Sequence, residues 1–470
     1  MISSTAFMLL GLAILLVSSS LVYAFGRGYG IRKEGFLLSF RNLGPLLTAI
    51  SIGMAWAGSP AFFIASGQAF NTGLVGLFWF SIGNILTLMV FAFAAQKIRQ
   101  AVPEGYNLSD FIREQYGKLA SKVFTCAALI INYVTMCITM VAVVFFVNAL
   151  SGIDKIWISL AVIGIALTLS FRTGFRATVI TEVIKFALVV LGLGSIVAML
   201  AFNPDIKSFT EGLGGVKGTG ADIFGTANAW TVFATFGVIT FFSQMSAPWA
   251  DNNYSQRAFA FGGDQSKIWI SYVLGAVFFG IIPIMTGLIG FWGVANGVVP
   301  TIPQFAIVDI VNKLVGFPGL LVFCAAALVT GISIIDSQLS CAASLIRNEF
   351  IAINDFEEER GLFWTRIGML ILCVLGIITT NWPGISLNYV FLTAGCVRLS
   401  MGLITALLIF KPTWFTGGAV SMIIPLGIAS ALFGYSYIEY TGDKSWTLPL
   451  VLGCVFLPPL ISAGLSRIIK

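Results

Sequence analysis

The amino-acid sequence predicts an all-α polytopic membrane protein with about thirteen transmembrane helices. Of its 470 residues, 58% are hydrophobic and 10% charged, with a mean hydropathy of +0.95, whereas a soluble domain carries roughly 25% charged residues. Apolar runs of about twenty residues recur along the whole length, each enough to cross a hydrocarbon core roughly 30 Å thick as a helix. Basic residues crowd alternate connections between these runs, as the positive-inside rule requires of an inserted chain.

The first run, within Met1 to Gly26, has neither the basic leader nor the small-residue cleavage site of a signal peptide, so it is expected to remain as a span at 5–25. The others fall at 44–69, 73–95, 121–149, 155–171, 178–203, 230–249, 268–296, 317–346, 363–381, 385–410, 416–436 and 446–466. An odd count sets the termini on opposite sides. Arg27, Arg32, Lys33 and Arg41 follow the first span and nothing basic precedes it, which places the amino terminus outside and the carboxyl terminus in the cytoplasm. With that parity nineteen basic residues fall on inner connections and five on outer ones, and a miscounted span would scramble the asymmetry beyond it. Between the spans, Asn107 to Glu114 reads as a capped amphipathic helix on the membrane surface, and Asp355 to Glu359 as a solvated acidic loop.

Several function classes are disfavoured at this level. The chain has no histidine, the commonest general base and transition-metal ligand, and its seven cysteines lie inside apolar runs without a CxxC pair. No transition-metal site is therefore expected. The net charge of +6 is scattered through short loops rather than gathered into a stripe, which argues against a nucleic-acid partner. With no phosphate-binding loop either, an enzyme is not expected. The expected partners are the lipid bilayer and a small-molecule solute.

What remains is irregularity at membrane depth, tolerated only where backbone is packed in protein or lines a wet cavity. Met54-Ala55-Trp56-Ala57-Gly58-Ser59-Pro60 interrupts the second span with glycine and proline. It is either a simple kink or a discontinuous helix whose freed carbonyls coordinate a cation. Four ionisable residues sit within spans: Glu182, Lys185, Asp336 and Arg398. Each costs several kcal/mol unless paired or hydrated, so each is a functional candidate. Glu182 and Lys185 are three residues apart on one helical face, where they either neutralise each other or relay a proton or cation. At ~100° per residue, Thr330, Ser333, Asp336, Ser337, Ser340 and Ser344 fall within an arc of roughly 120°. Hydroxyls alone would prove little, since they bond back to their own helix. A carboxylate among them makes an oxygen cage suited to a hard cation such as Na+.

Five stretches resemble the sodium:solute symporters: GMAWAGSPAFFIASGQAFNTG, NLSDFIREQYG, FRTGFRATVITEVIKF, DNNYSQRAFAFGGDQSK, and AAALVTGISIIDSQLSCAASLIRNEF leading to SLNYVFLTAGCVRLS. Together they cover most of residues 44–410 in the family's order. The resemblance implies a leucine-transporter-type core of two inverted five-helix repeats. Residues 1–43 would add a span and loop before it, 44–203 form the first repeat, 204–410 an extracellular loop and the second repeat, and 411–470 two further spans. It implies a secondary active transporter in the plasma membrane that moves a small polar solute by alternating access. The coupling ion would be Na+, with no other cofactor. Carried over by position, the cation ligands are the carbonyls of Met54 and Ala57 with Thr330 and Ser333, and Asp336, Ser337 and Glu182 supply further oxygen and charge. Trp56, Ser59, Phe241, Gln244, Ser246 and Arg398 are the expected substrate contacts. Two departures keep proton-coupled or uncoupled transport open: Ile334 stands where the family places a second hydroxyl, and Glu182 and Lys185 stand where it has Asp and Gln. A channel or sensor using the same fold is the other alternative.

Overall fold

The computed structural model describes residues 4–25, 30, 32–218, 220–302, 305–351, 358–385, 387–442 and 446–469. Among these the only regular elements are helices. Helix α1 (Ser4–Phe25) is followed by the short α2 (Lys33–Leu38), then α3 (Pro45–Trp56), α4 (Ser59–Ala101), α5 (Leu108–Tyr116), α6 (Lys118–Ser151), α7 (Lys155–Thr173) and α8 (Phe175–Ala201). The second half holds α9 (Ala227–Val232), α10 (Val238–Ala250), α11 (Asn252–Ala260), α12 (Ile268–Ala295), α13 (Ala306–Leu314), α14 (Phe317–Leu345), α15 (Glu358–Thr380), α16 (Leu387–Phe410), α17 (Gly417–Thr441) and α18 (Thr447–Ile469). A π-helical turn, Phe233–Gly237, joins α9 to α10.

Ten helices among the described residues are long and apolar enough to cross a membrane, and the chain is an integral membrane protein. About thirteen crossings are reached once α4 is divided at Gly73 and α1 and the α9–α10 segment are added. Of the acidic run expected as a loop, residues 355–357 lie outside the described residues, while Glu358 and Glu359 open α15. In the interior, α12 lies along α3 and α4, α14 packs against α6, α7 and α8, and α10 is held between α4 and α16. Helices α17 and α18 pair with each other and with α16.

Two interruptions shape the centre. Proline 60 has no N–H to donate, so the α-helical ladder stops. Gly58 N–H instead donates to Trp56 O at 3.0 Å, closing an inverse γ-turn at Ala57 (φ −82°, ψ 70°), and Gly58 (ψ 161°) is extended. The sequence left a kink and a discontinuity open; the backbone is discontinuous. The second interruption is Gly73, at φ +64° and ψ −152°, a conformation open essentially to glycine alone. There the chain segment before α9 docks onto the broken helix: Leu213 O accepts from Leu74 N–H, while the amides of Val216 and Lys217 donate to Phe70 O and Asn71 O at 2.8 and 3.0 Å. A Cβ at Gly73 would stand 2.3 Å from Leu213 O. Gly73→Ala is therefore expected to lower stability by roughly 1–3 kcal/mol, the cost of one such strained residue, read as a lower melting temperature of the detergent-solubilised protein.

On one end of the bundle, α5 is capped as expected: Asn107 Oδ1 accepts from Ser109 N–H at 3.0 Å, and Asp110 closes the reciprocal bond. Its apolar face, Leu108, Phe111 and Ile112, is buried. Lys33 reaches this corner, donating to Asn348 Oδ1 at 3.1 Å and lying 4.0 Å over the Tyr106 ring. Burial, aided by the neighbouring Arg347, lowers its pKa from 10.5 to about 8. The folded protein thus pays to keep this ammonium charged, in full below pH 8. The cost fades as pH rises toward 10.5, where the unfolded lysine also loses its proton. The melting temperature of the wild type relative to Lys33→Met is expected to rise across that window, and a flat difference would contradict the buried ammonium.

Candidate functional site

The broken helix meets α14 at close range. Ser59 Oγ donates to Ala327 O at 2.8 Å, and a Cβ at Gly331 would lie 2.5 Å from that hydroxyl, so glycine is what lets the two backbones approach. Along the oxygen-rich stripe of α14 the groups divide. Thr330 bonds back to Ala326 O and Ala327 O at 2.9 and 3.0 Å, the self-satisfying arrangement. Ser333 Oγ, Ser340 Oγ and Asp336 Oδ1 are buried and have no hydrogen-bond partner among the described residues.

Charge is distributed across helices rather than along one. Glu182 and Lys185 diverge from α8: Lys185 Nζ donates to Asp336 Oδ2 on α14 at 2.8 Å, and Glu182 Oε1 pairs with Arg257 on α11 at 2.8 Å. Arg257 is fully buried. Its Nε donates to Ser51 Oγ on α3 at 2.8 Å, and its remaining nitrogens reach Asn253 O, Asn253 Oδ1 and Ser337 Oγ. Ser51 also donates to Glu182, as does Ser337, the latter at 2.8 Å. One buried ion pair thus ties α3, the first half of the broken helix, to α8, α11 and α14. Buried charges at such depth require this degree of satisfaction. Sequence spacing pointed to Glu182 and Lys185 but gave no sign of Arg257, which sits in a polar segment counted with the connections.

Beside the break lies a cavity of about 80 Å³ lined by Trp56, Asn84, Thr135, Gln244, Asp251 and Arg398 among its polar groups, and by Ile64, Phe80, Phe279, Ile334 and Phe391 among its apolar ones. The Trp56 ring is fixed edge-on against Tyr254 and Phe279, with centroids 5.1 and 6.4 Å away. Its indole nitrogen and Arg398 Nε have no partner among the described residues. Another Arg398 nitrogen donates to Thr135 Oγ1 at 2.8 Å. Asp251 accepts from Asn253 N–H and from Gln338 Nε2, each at 3.0 Å. The cavity therefore carries one carboxylate and one guanidinium.

Of the expected substrate contacts, Trp56, Gln244 and Arg398 converge on this cavity. Ser59 bonds to Ala327 instead. Ser246 faces α16, where a Cβ at Gly402 would strike it at 2.2 Å. Phe241 packs among Trp79 and Phe242. Asp251 and Tyr254 were not given a role because they fall in the DNNYSQR stretch beyond the expected span 230–249, and Asn84 and Thr135 because isolated neutral polar residues are too common in spans to mark a site.

Among the expected cation ligands, Ser333 Oγ and Asp336 Oδ1 are unpartnered, whereas Thr330 is satisfied by its own helix. Ile334 contributes no oxygen, and the carboxylate that would balance the ion already holds the ammonium of Lys185. No cluster of three His, Cys, Asp or Glu side chains able to hold a metal is present among the described residues.

The model of the sodium:solute symporter family matches residues 36–424, more than half of the chain. The chain belongs to the sodium:solute symporter family. It is similar to a urea-proton symporter, DUR3, of Oryza sativa subsp. japonica, 22% identical over 473 residues that cover 90% of this chain and 64% of the rice protein. It is also similar to a probable urea active transporter of Schizosaccharomyces pombe, 21% identical over 270 residues, or 54% of this chain and 39% of the other. The chain spans less than two thirds of the length of these curated relatives. Among solved structures, a Na+-coupled sialic acid symporter superimposes with a TM-score of 0.74 at 13% identity, covering 98% of this chain and 97% of the other. A nucleobase-cation-symport-1 family transporter in a closed conformation gives 0.58 at 14% identity, covering 93% and 96%. This symporter-family chain thus has the leucine-transporter-type fold that the family resemblance implied.

Proposed function

We propose that this protein is a secondary transporter that moves a small neutral amide solute of the urea class across the plasma membrane by alternating access, driven by protons. The central cavity carries the reading. About 80 Å³, in a measure where a single water needs about 10–15 Å³, suits a solute of a few heavy atoms and is cramped for a sugar. Asp251 and Arg398 balance each other's charge, so a neutral solute leaves the site electrically complete, whereas a carboxylate would bring one anion too many. A urea carbonyl can accept from the unpartnered Trp56 and Arg398 N–H groups, and its own N–H groups can donate to Asp251, Gln244 or Asn84. The names of the rice and yeast relatives support the same class.

The helix breaks at Ala57–Gly58 and at Asp251, where α10 gives way to α11, both border this cavity. That supports the two-repeat reading of residues 44–203 and 204–410, with rocking between bundles exposing the cavity to either side. For coupling, the Lys185–Asp336 pair supplies the responsive element. A proton added to Asp336 removes the attraction that holds α8 to α14 and leaves Lys185 charged, so loading the proton and separating the helices are one event.

Uptake of radiolabelled urea by the purified protein in proteoliposomes tests this directly. Accumulation above the equilibrium value is expected with an acid-outside gradient, with or without sodium. Accumulation that requires a sodium gradient would reject proton coupling, and uptake that stops at equilibrium under every gradient would reject coupled transport.

A further inference from the structure

A second cavity of about 290 Å³ adjoins the central one, and the two share the side chains of Ile64 and Phe391. The second cavity also lies against Asn71, whose carbonyl is held by the amide of Lys217, so it opens on the side of the segment docked at Gly73.

Its polar groups are few and partly unsatisfied. Thr240 is 2% exposed, yet its hydroxyl makes no hydrogen bond among the described residues. Gln68 spends Oε1 on the Thr72 hydroxyl at 2.9 Å, which leaves its Nε2 protons free. Asn71 spends Nδ2 on Gly67 O at 2.8 Å, which leaves Oδ1 free. The wall thus presents one donor, one acceptor and one hydroxyl able to act as either. Aspartate, glutamate, lysine and arginine are all missing from the lining among the described residues, so nothing there favours an ion. The π-helical turn brings Thr235 and Phe236 into the same wall, and such turns occur often at functional sites.

We infer that this cavity is a separate binding station for the same amide solute, occupied before the solute passes Ile64 and Phe391 into the centre. The inference rests on the urea-class reading above. Its chemistry is that of a solute with one carbonyl and several N–H groups, which can satisfy Gln68, Asn71 and Thr240 together. Dehydration is then split into two steps, and the charged pair of the central cavity is met only by a solute already partly stripped of water.

A cysteine at position 67 reports on the station. An ideal Cβ there has no atom within 4 Å, so Gly67→Cys places a thiol in the cavity without crowding. Cys126 is the exposed member of the seven native cysteines and is replaced by serine to silence the background. The rate at which a charged methanethiosulfonate modifies Gly67→Cys in proteoliposomes is expected to fall several-fold in saturating urea. The protection should persist when Arg398→Gln disables the central cavity. Protection that vanishes with Arg398→Gln would mean that urea acts from the centre by changing the conformation, and would overturn the station. So would a rate indifferent to urea in a protein whose wild type accumulates urea. If the wild type neither accumulates urea nor is protected by it, the solute reading fails and the station with it.

Discussion

Asp336→Asn is expected to abolish accumulation of urea under an acid-outside gradient while leaving exchange at equal concentrations measurable. Asparagine keeps the shape of a protonated carboxyl group but can never release the proton, so Lys185 faces a neutral partner at every stage of the cycle. Two unit charges about 3 Å apart attract by on the order of 5 kcal/mol at an effective dielectric near 20. That is about the differential needed to move a two-state equilibrium from 1:99 to 99:1. Removing it permanently should leave α8 and α14 without a proton-dependent preference, and the gradient without a handle on conformation. Lys185→Met should give the same loss from the other side of the pair, since no ammonium remains for Asp336 to hold or release. Accumulation by Asp336→Asn to the wild-type ratio would remove the pair from the coupling mechanism.

The largest stability effect is expected at Arg257. Arg257→Met leaves the fully buried Glu182 carboxyl group with hydroxyl partners alone, and deleting one member of a buried pair costs about 3–5 kcal/mol. The double variant Arg257→Met with Glu182→Leu should recover part of that loss, because no orphaned carboxyl group remains. Thermal unfolding of the three proteins in detergent reads both effects. A single variant that melts with the wild type would show that water or another group reaches Glu182.

How much of this was legible beforehand follows from the range of each interaction. The interruption at Ala57–Gly58 is local chemistry, since glycine and proline together weaken a helix, and it was visible in the sequence, which left open whether the helix kinks or breaks. The cap of α5 was visible for the same reason. The stripe on α14 could be read from periodicity, but its occupants could not. The partner of Asp336 is 151 residues away on α8, and the two acids and two bases could be combined in more than one way. Spacing suggested Glu182 with Lys185. Three residues along a helix turn two side chains about 60° apart, and here that angle is enough to send Glu182 to Arg257 of α11 and Lys185 to Asp336 of α14. Arg257 escaped because α11 is buried along its whole length, although its composition reads as a wet connection. Asp251 escaped with it, being the residue on which α10 ends and α11 is capped.

The docking of residues 213–217 at Gly73 bears on how the protein can be labelled. Carbonyls that a helix leaves over are ordinarily given to water or to the next turn. Here the peptide ahead of α9 takes them, so the rim of the bundle is sutured through backbone rather than side chains. Substitutions at Val216 and Lys217 should be tolerated well, since their amides carry the stitch, whereas a Cβ at Gly215, whose φ is +67°, would stand 2.3 Å from Gly73 N. A tag or fluorophore-bearing insertion between Leu213 and Lys217 would instead shift the register and unpick two spans at once.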